Sequence, residues 1–222
     1  MPEKTGNLQS RLDPLGLIVL GGFHPTPADA VPGDPATLVL VGNAGLALWR
    51  AFAQDRPDGS DPLDRWIAER LTALAEDSGA TALFPFGGPP FLLFQRWAQR
   101  ASAARPSPLG ILIHPDFGLW HAYRGALAFP ARLDLPPSDP RPSPCDGCAG
   151  RPCLSACPVG AFSAATGYDV PACAGHLATA AGADCNDLGC RARRACPVGR
   201  EFTYAPAQAA FHMTAFRRAQ QV

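Results

Sequence analysis

The stretch that decides the fold lies at residues 145–158 and has the sequence Cys-Asp-Gly-Cys-Ala-Gly-Arg-Pro-Cys-Leu-Ser-Ala-Cys-Pro. A second group at residues 173–197 also ends in Cys-Pro. Together the two groups hold all eight cysteines of the 222-residue chain: Cys145, Cys148, Cys153, Cys157, Cys173, Cys185, Cys190 and Cys196. Cysteines at this density are either metal ligands or members of a disulfide framework, and the compartment decides between the two.

The compartment predicted from the sequence is the cytoplasm. The N-terminus lacks a basic region followed by an apolar run and a cleavage site, which is the pattern of a secretory signal. Because cytoplasmic thiols stay reduced, metal binding is the better interpretation. Closely spaced cysteines before a final Cys-Pro are typical of bacterial two-cluster ferredoxins, so we predict two 4Fe-4S clusters. Two zinc sites and a disulfide framework remain alternatives, although only Cys145 and Cys148 have the spacing of a zinc knuckle.

The ligand sets follow from the ferredoxin rule that the last cysteine of each run binds the other cluster. The first cluster is predicted to take Cys145, Cys148, Cys153 and Cys196. The second is predicted to take Cys157, Cys173, Cys185 and Cys190. Backbone amides of the short loops should donate hydrogen bonds to the sulfurs, and the proline after each final cysteine should begin a short helix.

The composition of the chain indicates whether nucleic acid or a membrane is an expected partner. Nineteen Lys and Arg residues balance nineteen Asp and Glu residues, so the formal net charge of zero predicts no nucleic-acid partner. No apolar run approaches the roughly 20 residues that span a bilayer, so no membrane association is predicted. The apolar fraction of 47% is sufficient for a hydrophobic core.

Periodicity predicts a layered α+β domain before the cysteines. Strands are expected at residues 15–21, 37–42, 81–86, 109–114 and 119–129. Helices are expected at residues 43–54, from the Asp61-Pro62 start to Gly79, at 90–102 and at 205–219. The predicted domains are residues 1–136, a cluster module at 137–204 and a C-terminal helical segment at 205–222. A proline-rich connector at 134–144 marks the first boundary, and the last helix either caps the module or docks on the first domain.

Two families resemble parts of this sequence. His114-Pro115-x-Phe117-Gly118-x-Trp120-x3-Arg124-Gly125 is similar to a motif of the CblC cobalamin-processing proteins, and epoxyqueuosine reductase has a related segment. The cysteine pattern also resembles epoxyqueuosine reductase: four cysteines ending in Cys-Pro are followed by the isolated Cys173 and then by three more ending in Cys-Pro. The resemblance implies a nitroreductase-like, CblC-like α+β domain followed by a bacterial-type two-4Fe-4S ferredoxin module. It covers residues 109–130 well and residues 15–130 loosely.

The resemblance further implies a corrinoid such as cobalamin as a bound cofactor or substrate, contacted by His114, Phe117, Trp120 and Arg124. Each residue also has a structural interpretation. His114 can bond a backbone carbonyl at a turn, and the aromatic side chains can fill a core. Arg124, a charge within an apolar strand, needs either an anionic ligand group or an internal carboxylate. The sequence has no match for the catalytic acid of epoxyqueuosine reductase, so no catalytic residue is predicted.

The predicted function is an iron-sulfur reductase that binds a corrinoid and reduces its cobalt, for decyanation, dealkylation or cob(II)alamin reduction. The alternatives are a ferredoxin-like electron carrier whose first domain docks a partner and a reductase of a non-corrinoid substrate. A redox protein is the expected electron donor or acceptor. The arginines beside Cys190, namely Arg191, Arg193 and Arg194, are expected to steer an acidic donor or raise a cluster potential, or else to form a solvated face.

Overall fold

The chain forms two compact units in a computed structural model that describes residues 5–137, 139–163 and 167–221. Unit 1 consists of Met1–Ala103 and His121–Pro140, and unit 2 consists of Ala104–Trp120 and Arg141–Val222. This division differs from the predicted boundary at residue 136, because residues 104–120 belong with the cysteines. The physical reason is a shared core in which Leu109, Ile113 and Leu119 pack with Ala192 and Cys196.

Strands and helices follow one another along the described part of the chain. The strands are β1 (Ile18–Phe23), β2 (Thr37–Ala44), β3 (Thr81–Leu83), β4 (Arg105–Pro106), β5 (Leu112–Ile113), β6 (His121–Phe129), β7 (Phe162–Ser163) and β8 (Gly167–Tyr168). The helices are α1 (Thr5–Leu12), α2 (Ala47–Gln54), α3 (Pro62–Asp77), α4 (Phe94–Ala101), α5 (Pro152–Ser155), α6 (Val170–Leu177), α7 (Ala183–Leu188), α8 (Arg191–Arg194) and α9 (Pro206–Ala219).

Unit 1 is built on a four-stranded antiparallel sheet with the strand order β1-β2-β6-β3. Strand β2 lies inside the sheet and is buried from Thr37 to Asn43, which explains its unbroken apolar run. Its register pairs Val39 with Leu127, and it shifts by one residue between Val41 and Gly42. A Cβ atom on Gly42 would lie 2.1 Å from the carbonyl oxygen of Ala122, so only glycine fits at this bulge.

The helices of unit 1 pack their apolar stripes on this sheet. Helix α3 contacts β3 and β6 and buries Trp66, Ile67 and Leu71. Helix α4 contacts β1 and β2 and buries Trp97. This burial follows the i, i+3, i+4 spacing of apolar residues in the sequence.

The predicted elements of unit 1 are found, with shifted ends. Helix α2 begins at Ala47 rather than at residue 43, because β2 continues to Ala44 and pairs it with His121. Helix α4 begins at Phe94, where its buried stripe begins, rather than at Pro90. Strand β3 ends at Leu83. Asp61 does precede α3, but its side chain accepts no capping hydrogen bond.

Unit 2 consists of short elements. Strands β4 and β5 form a hairpin, and β7 pairs with β8. Helix α9 packs on α7, so the C-terminal helix belongs to the cysteine-bearing unit, one of the two placements that the sequence allowed. No helix in the described part of the chain has the length and apolar character needed to cross a membrane.

The chain around Asp29 is held by a buried carboxylate in unit 1. Asp29 Oδ2 accepts hydrogen bonds from the Thr26 amide at 2.7 Å, from the Thr26 hydroxyl at 2.8 Å and from the Arg100 guanidinium. Its backbone carbonyl accepts the indole N–H of Trp97 at 2.8 Å. Burial alone would raise the pKa of Asp29, but the bonds from Arg100 and Thr26 outweigh burial and lower it. The carboxylate therefore joins the segment after β1 to helix α4.

Replacing this carboxylate by an amide tests the link. We expect Asp29→Asn to lower the free energy of unfolding by about 1.5–3 kcal/mol at neutral pH, because bonds to a charged acceptor are lost. Urea denaturation followed by circular dichroism measures this change. Since the pKa of Asp29 is lowered on folding, the wild-type advantage should be complete above the ordinary value of 3.8 and should shrink as the pH falls below it.

The matched control is Asp34→Asn, a surface position in the same connection. An equal loss of stability in both variants would contradict the role assigned to Asp29.

Candidate iron-sulfur site

The cysteines of unit 2 line two separate cavities. We call the one lined by Cys145, Cys148, Cys153 and Cys196 the first site. The second site is lined by Cys157, Cys173, Cys185 and Cys190. These are the two quartets that the exchange of last cysteines predicts.

Local elements place each sulfur. Cys153 lies on α5, Cys173 on α6 and Cys185 on α7, while Cys190 directly precedes α8. Helix α6 is capped by the Asp169 carboxylate, which accepts the Ala172 amide at 2.9 Å. These helices are short, so they bring several cysteines to one cavity within few residues.

The expectation for the two prolines was wrong. Pro158 lies in a turn and Pro197 directly precedes one, so neither begins a helix. Gly160 and Gly199 follow with φ values of +61° and +68°, a left-handed conformation that prevents a helix from running on from either proline.

Hydrogen-bond donors reach the sulfurs, as the short loops predict. The Ala161 amide donates to Cys157 Sγ at 3.3 Å. The backbone amides of Ala192 and Arg193 donate hydrogen bonds to Cys190, and the Leu154 amide donates one to Cys153. Such bonds stabilise negative charge on sulfur.

The electrostatics of each quartet show that its thiols interact. Burial raises the pKa of Cys145, and the neighbouring thiolates of Cys196, Cys153 and Cys148 raise it further. Burial likewise raises the pKa of Cys190, together with Cys185 and Cys173. The thiols stand in for the metal-bound thiolates of a loaded protein, in which positive metal atoms offset this repulsion.

The donor set fits a four-iron cluster. Within the described residues no group of three or more His, Cys, Asp or Glu side chains is positioned to hold a single metal ion. A cubane instead takes one thiolate at each of four irons, so its ligands need not meet at one point.

Three of the four predicted corrinoid contacts lie in unit 2. His114 Nδ1 accepts the Asp116 amide at 3.1 Å, and its ring stacks on Phe117 with centroids 4.6 Å apart. Phe117 meets Phe202 edge to face at 5.0 Å. Trp120 is 3% exposed and packs with Tyr204 in a small core.

Arg124, the fourth predicted contact, lies in unit 1 on β6. Its Nε donates to Asn43 Oδ1 at 2.8 Å. Burial raises the pKa of the nearby Asp64 carboxyl, Arg124 lowers it and Asp61 raises it, with a net rise. An internal carboxylate beside Arg124 was one of the two alternatives that follow from the sequence. Corrinoid contact by these four residues stays a prediction.

The arginines beside Cys190 are largely committed to internal bonds. Arg193 donates two hydrogen bonds to the Leu119 carbonyl, at 2.9 and 2.5 Å, and lies 4.5 Å from the ring centroids of both Trp120 and Tyr204. Arg194 bonds the Gly189 carbonyl and pairs with Asp184. The sequence carried no signal for the Arg193 contacts, because all three partners come from other segments.

Two glycines let residues 117–118 approach residues 198–199. A Cβ atom on Gly118 would lie 2.0 Å from the Val198 carbonyl oxygen, and one on Gly199 would lie 2.4 Å from the Phe117 carbonyl carbon. Both glycines also have positive φ values. The glycine of the His-Pro-x-Phe-Gly-x-Trp segment is therefore required for packing beside Cys196-Pro197.

Comparison with solved structures shows the fold. The chain superposes on epoxyqueuosine reductase from Streptococcus thermophilus with a TM-score of 0.55 and 14% identity, covering 92% of this chain and 70% of that one. A selenomethionine-labelled epoxyqueuosine reductase gives 0.48 and 13%, covering 88% and 64%. An epoxyqueuosine reductase with an epoxyqueuosine-modified tRNA-Tyr stem loop gives 0.49 and 16%, covering 94% and 64%. Neither a family model nor a curated protein sequence matches the chain.

The fold of this mixed α/β chain is thus similar to that of epoxyqueuosine reductase, as one part of the predicted resemblance implied. The CblC-like character of unit 1 stays a prediction.

Serine substitutions test the exchange of last cysteines between the sites. We expect Cys157→Ser to remove the same cluster as Cys173→Ser, and Cys196→Ser to remove the same cluster as Cys148→Ser. Each variant should fall from about eight to about four iron atoms per chain. Iron analysis and electron paramagnetic resonance of the anaerobically reduced proteins make the comparison.

Ser155→Ala, an exposed position two residues before Cys157, is the control and should keep both clusters. If Cys157→Ser instead matched Cys148→Ser, each group would bind its own cluster and the exchange would be wrong.

Proposed function

We propose that the chain is an iron-sulfur oxidoreductase with two 4Fe-4S clusters in unit 2. The observation that carries this proposal is the pair of cysteine quartets, each around its own cavity and each completed by a cysteine of the other group. Each 4Fe-4S cluster supplies one-electron transfer at a potential set by its surroundings. The similarity of fold to epoxyqueuosine reductase supports an electron-transfer role without fixing a substrate.

The residues of unit 2 have defined tasks under this proposal. The eight thiolates hold the two clusters, and the amides around them stabilise the charge on sulfur. Buried apolar residues such as Ile113 and Leu177 limit the access of water to the sites. The cytoplasm is the proposed compartment, and a redox protein is the proposed electron donor or acceptor.

Metal analysis is the direct test. Anaerobically purified protein should contain about eight iron and about eight acid-labile sulfide atoms per chain, because two cubanes contain that number. It should be brown and should bleach on reduction by dithionite. Colourless protein with stoichiometric zinc would overturn the proposal in favour of two zinc sites.

We propose a corrinoid as the first substrate to test. The support is the similarity of residues 114–125 to the CblC motif. Arg124 is oriented by Asn43 and placed near Asp64, so its guanidinium is held in one position for an anionic or amide group of a ligand.

Titration of the reconstituted protein with cob(II)alamin tests this substrate. We expect a saturable spectral shift from the five-coordinate to the four-coordinate form. Arg124→Ala should weaken binding about tenfold or more, because a charged hydrogen-bond donor is lost, and should leave the cluster spectra unchanged. Arg132→Ala, an exposed arginine of the same unit, is the control.

No spectral shift at high micromolar cobalamin would exclude the corrinoid. Unit 1 would then dock a protein partner or bind another substrate. Unfolding of Arg124→Ala, with the control intact, would assign Arg124 to the internal network with Asn43 and Asp64.

A further inference from the structure

Tyr168 is held firmly beside the second site. It lies on β8, where its partner in the ladder is Phe162 on β7. The two rings stack with centroids 4.7 Å apart and an interplanar angle of 15°. Phe216 on α9 flanks the Tyr168 ring at 6.4 Å. These contacts fix the direction of the phenol hydroxyl.

The hydroxyl of Tyr168 is hydrogen-bonded to the side chain of Cys173. A thiolate has no proton to give, so the phenol O–H is the donor.

The first site has a different side-chain donor. Ser143 is hydrogen-bonded to the side chain of Cys145, and its Oγ also accepts the Cys145 amide at 3.3 Å. The Tyr168 hydroxyl is clamped by aromatic packing, whereas the Ser143 hydroxyl lies in the proline-rich segment before Cys145. The two sites therefore differ in their side-chain donor, a phenol hydroxyl at the second site and a serine hydroxyl at the first.

We infer that Tyr168 sets the reduction potential of the second cluster by donating a hydrogen bond to the Cys173 sulfur. Reduction adds one electron, and part of the added charge spreads onto the cysteine sulfurs. A fixed donor stabilises the reduced state more than the oxidised state, so the potential rises. No bond breaks and no proton moves; the electron comes from the redox protein partner. This inference rests on the proposed function, because it requires that Cys173 bind a cluster.

The test is a redox titration of the full-length, reconstituted protein, followed by electron paramagnetic resonance. Tyr168→Phe keeps the ring and removes the hydroxyl. At a fixed potential we expect the ratio of reduced to oxidised second cluster to fall about threefold or more, with the first cluster unchanged. Ser143→Ala is the matched control and should leave the second cluster unchanged. The cysteine-to-serine variants assign each signal to its site.

A second measurement covers the case in which Tyr168→Phe loses iron. Incorporation of fluorotyrosine throughout the wild-type chain keeps the three tyrosine rings and makes their hydroxyls stronger donors. The ratio of reduced to oxidised second cluster should then rise.

The two possible failures are distinguishable. An unchanged second cluster in variants that hold about eight iron atoms overturns the role of Tyr168 and leaves the proposed function intact. Wild-type protein without iron overturns the proposed function itself.

Discussion

The structure of unit 2 depends on the way its two cysteine groups share their last members. Cys157 lines the site of the second group, and Cys196 lines the site of the first. Neither cavity can be enclosed by four sulfurs until both chain segments are in place. The apolar core of this unit is small, and helices α5 and α8 have only four residues each, too few to be stable alone. Cluster binding and folding of unit 2 are therefore expected to be coupled.

Residues 104–120 join this unit by close packing. Gly118 and Gly199 allow two backbone segments to touch, and Arg193 bonds the Leu119 carbonyl while its guanidinium contacts Trp120 and Tyr204. The His-Pro-x-Phe-Gly-x-Trp segment thus has a structural task beside Cys196. The resemblance implies that the same segment contacts a corrinoid. A cobalamin-binding measurement tests this second role separately from the packing role.

The similarity to epoxyqueuosine reductase fixes the architecture but leaves the substrate open. A fold can carry several chemistries, because the reaction depends on the side chains of the site. In this chain the proposed redox site is formed by eight cysteines, whereas Arg124 in unit 1 donates to Asn43 and interacts electrostatically with Asp64. The proposed electron transfer therefore rests on the geometry of the cysteines, whereas the proposed corrinoid substrate rests on the sequence resemblance.

The sequence by itself determined the cysteine quartets, the strands of the unit 1 sheet and its main helices. Apolar periodicity is a local property, and the quartets follow from the ferredoxin rule that the last cysteine of each run binds the other cluster. Only the tertiary structure decided that residues 104–120 belong with the cysteines, that Arg193 contacts Trp120 and Tyr204, and that Tyr168 donates to Cys173. The contacts of Leu119 with Ala192, Arg193 and Cys196 join segments more than 70 residues apart, while the Tyr168 bond depends on the orientation that β7, β8 and α9 give its ring. Spacing along the chain carries no information about which surfaces meet in the folded chain.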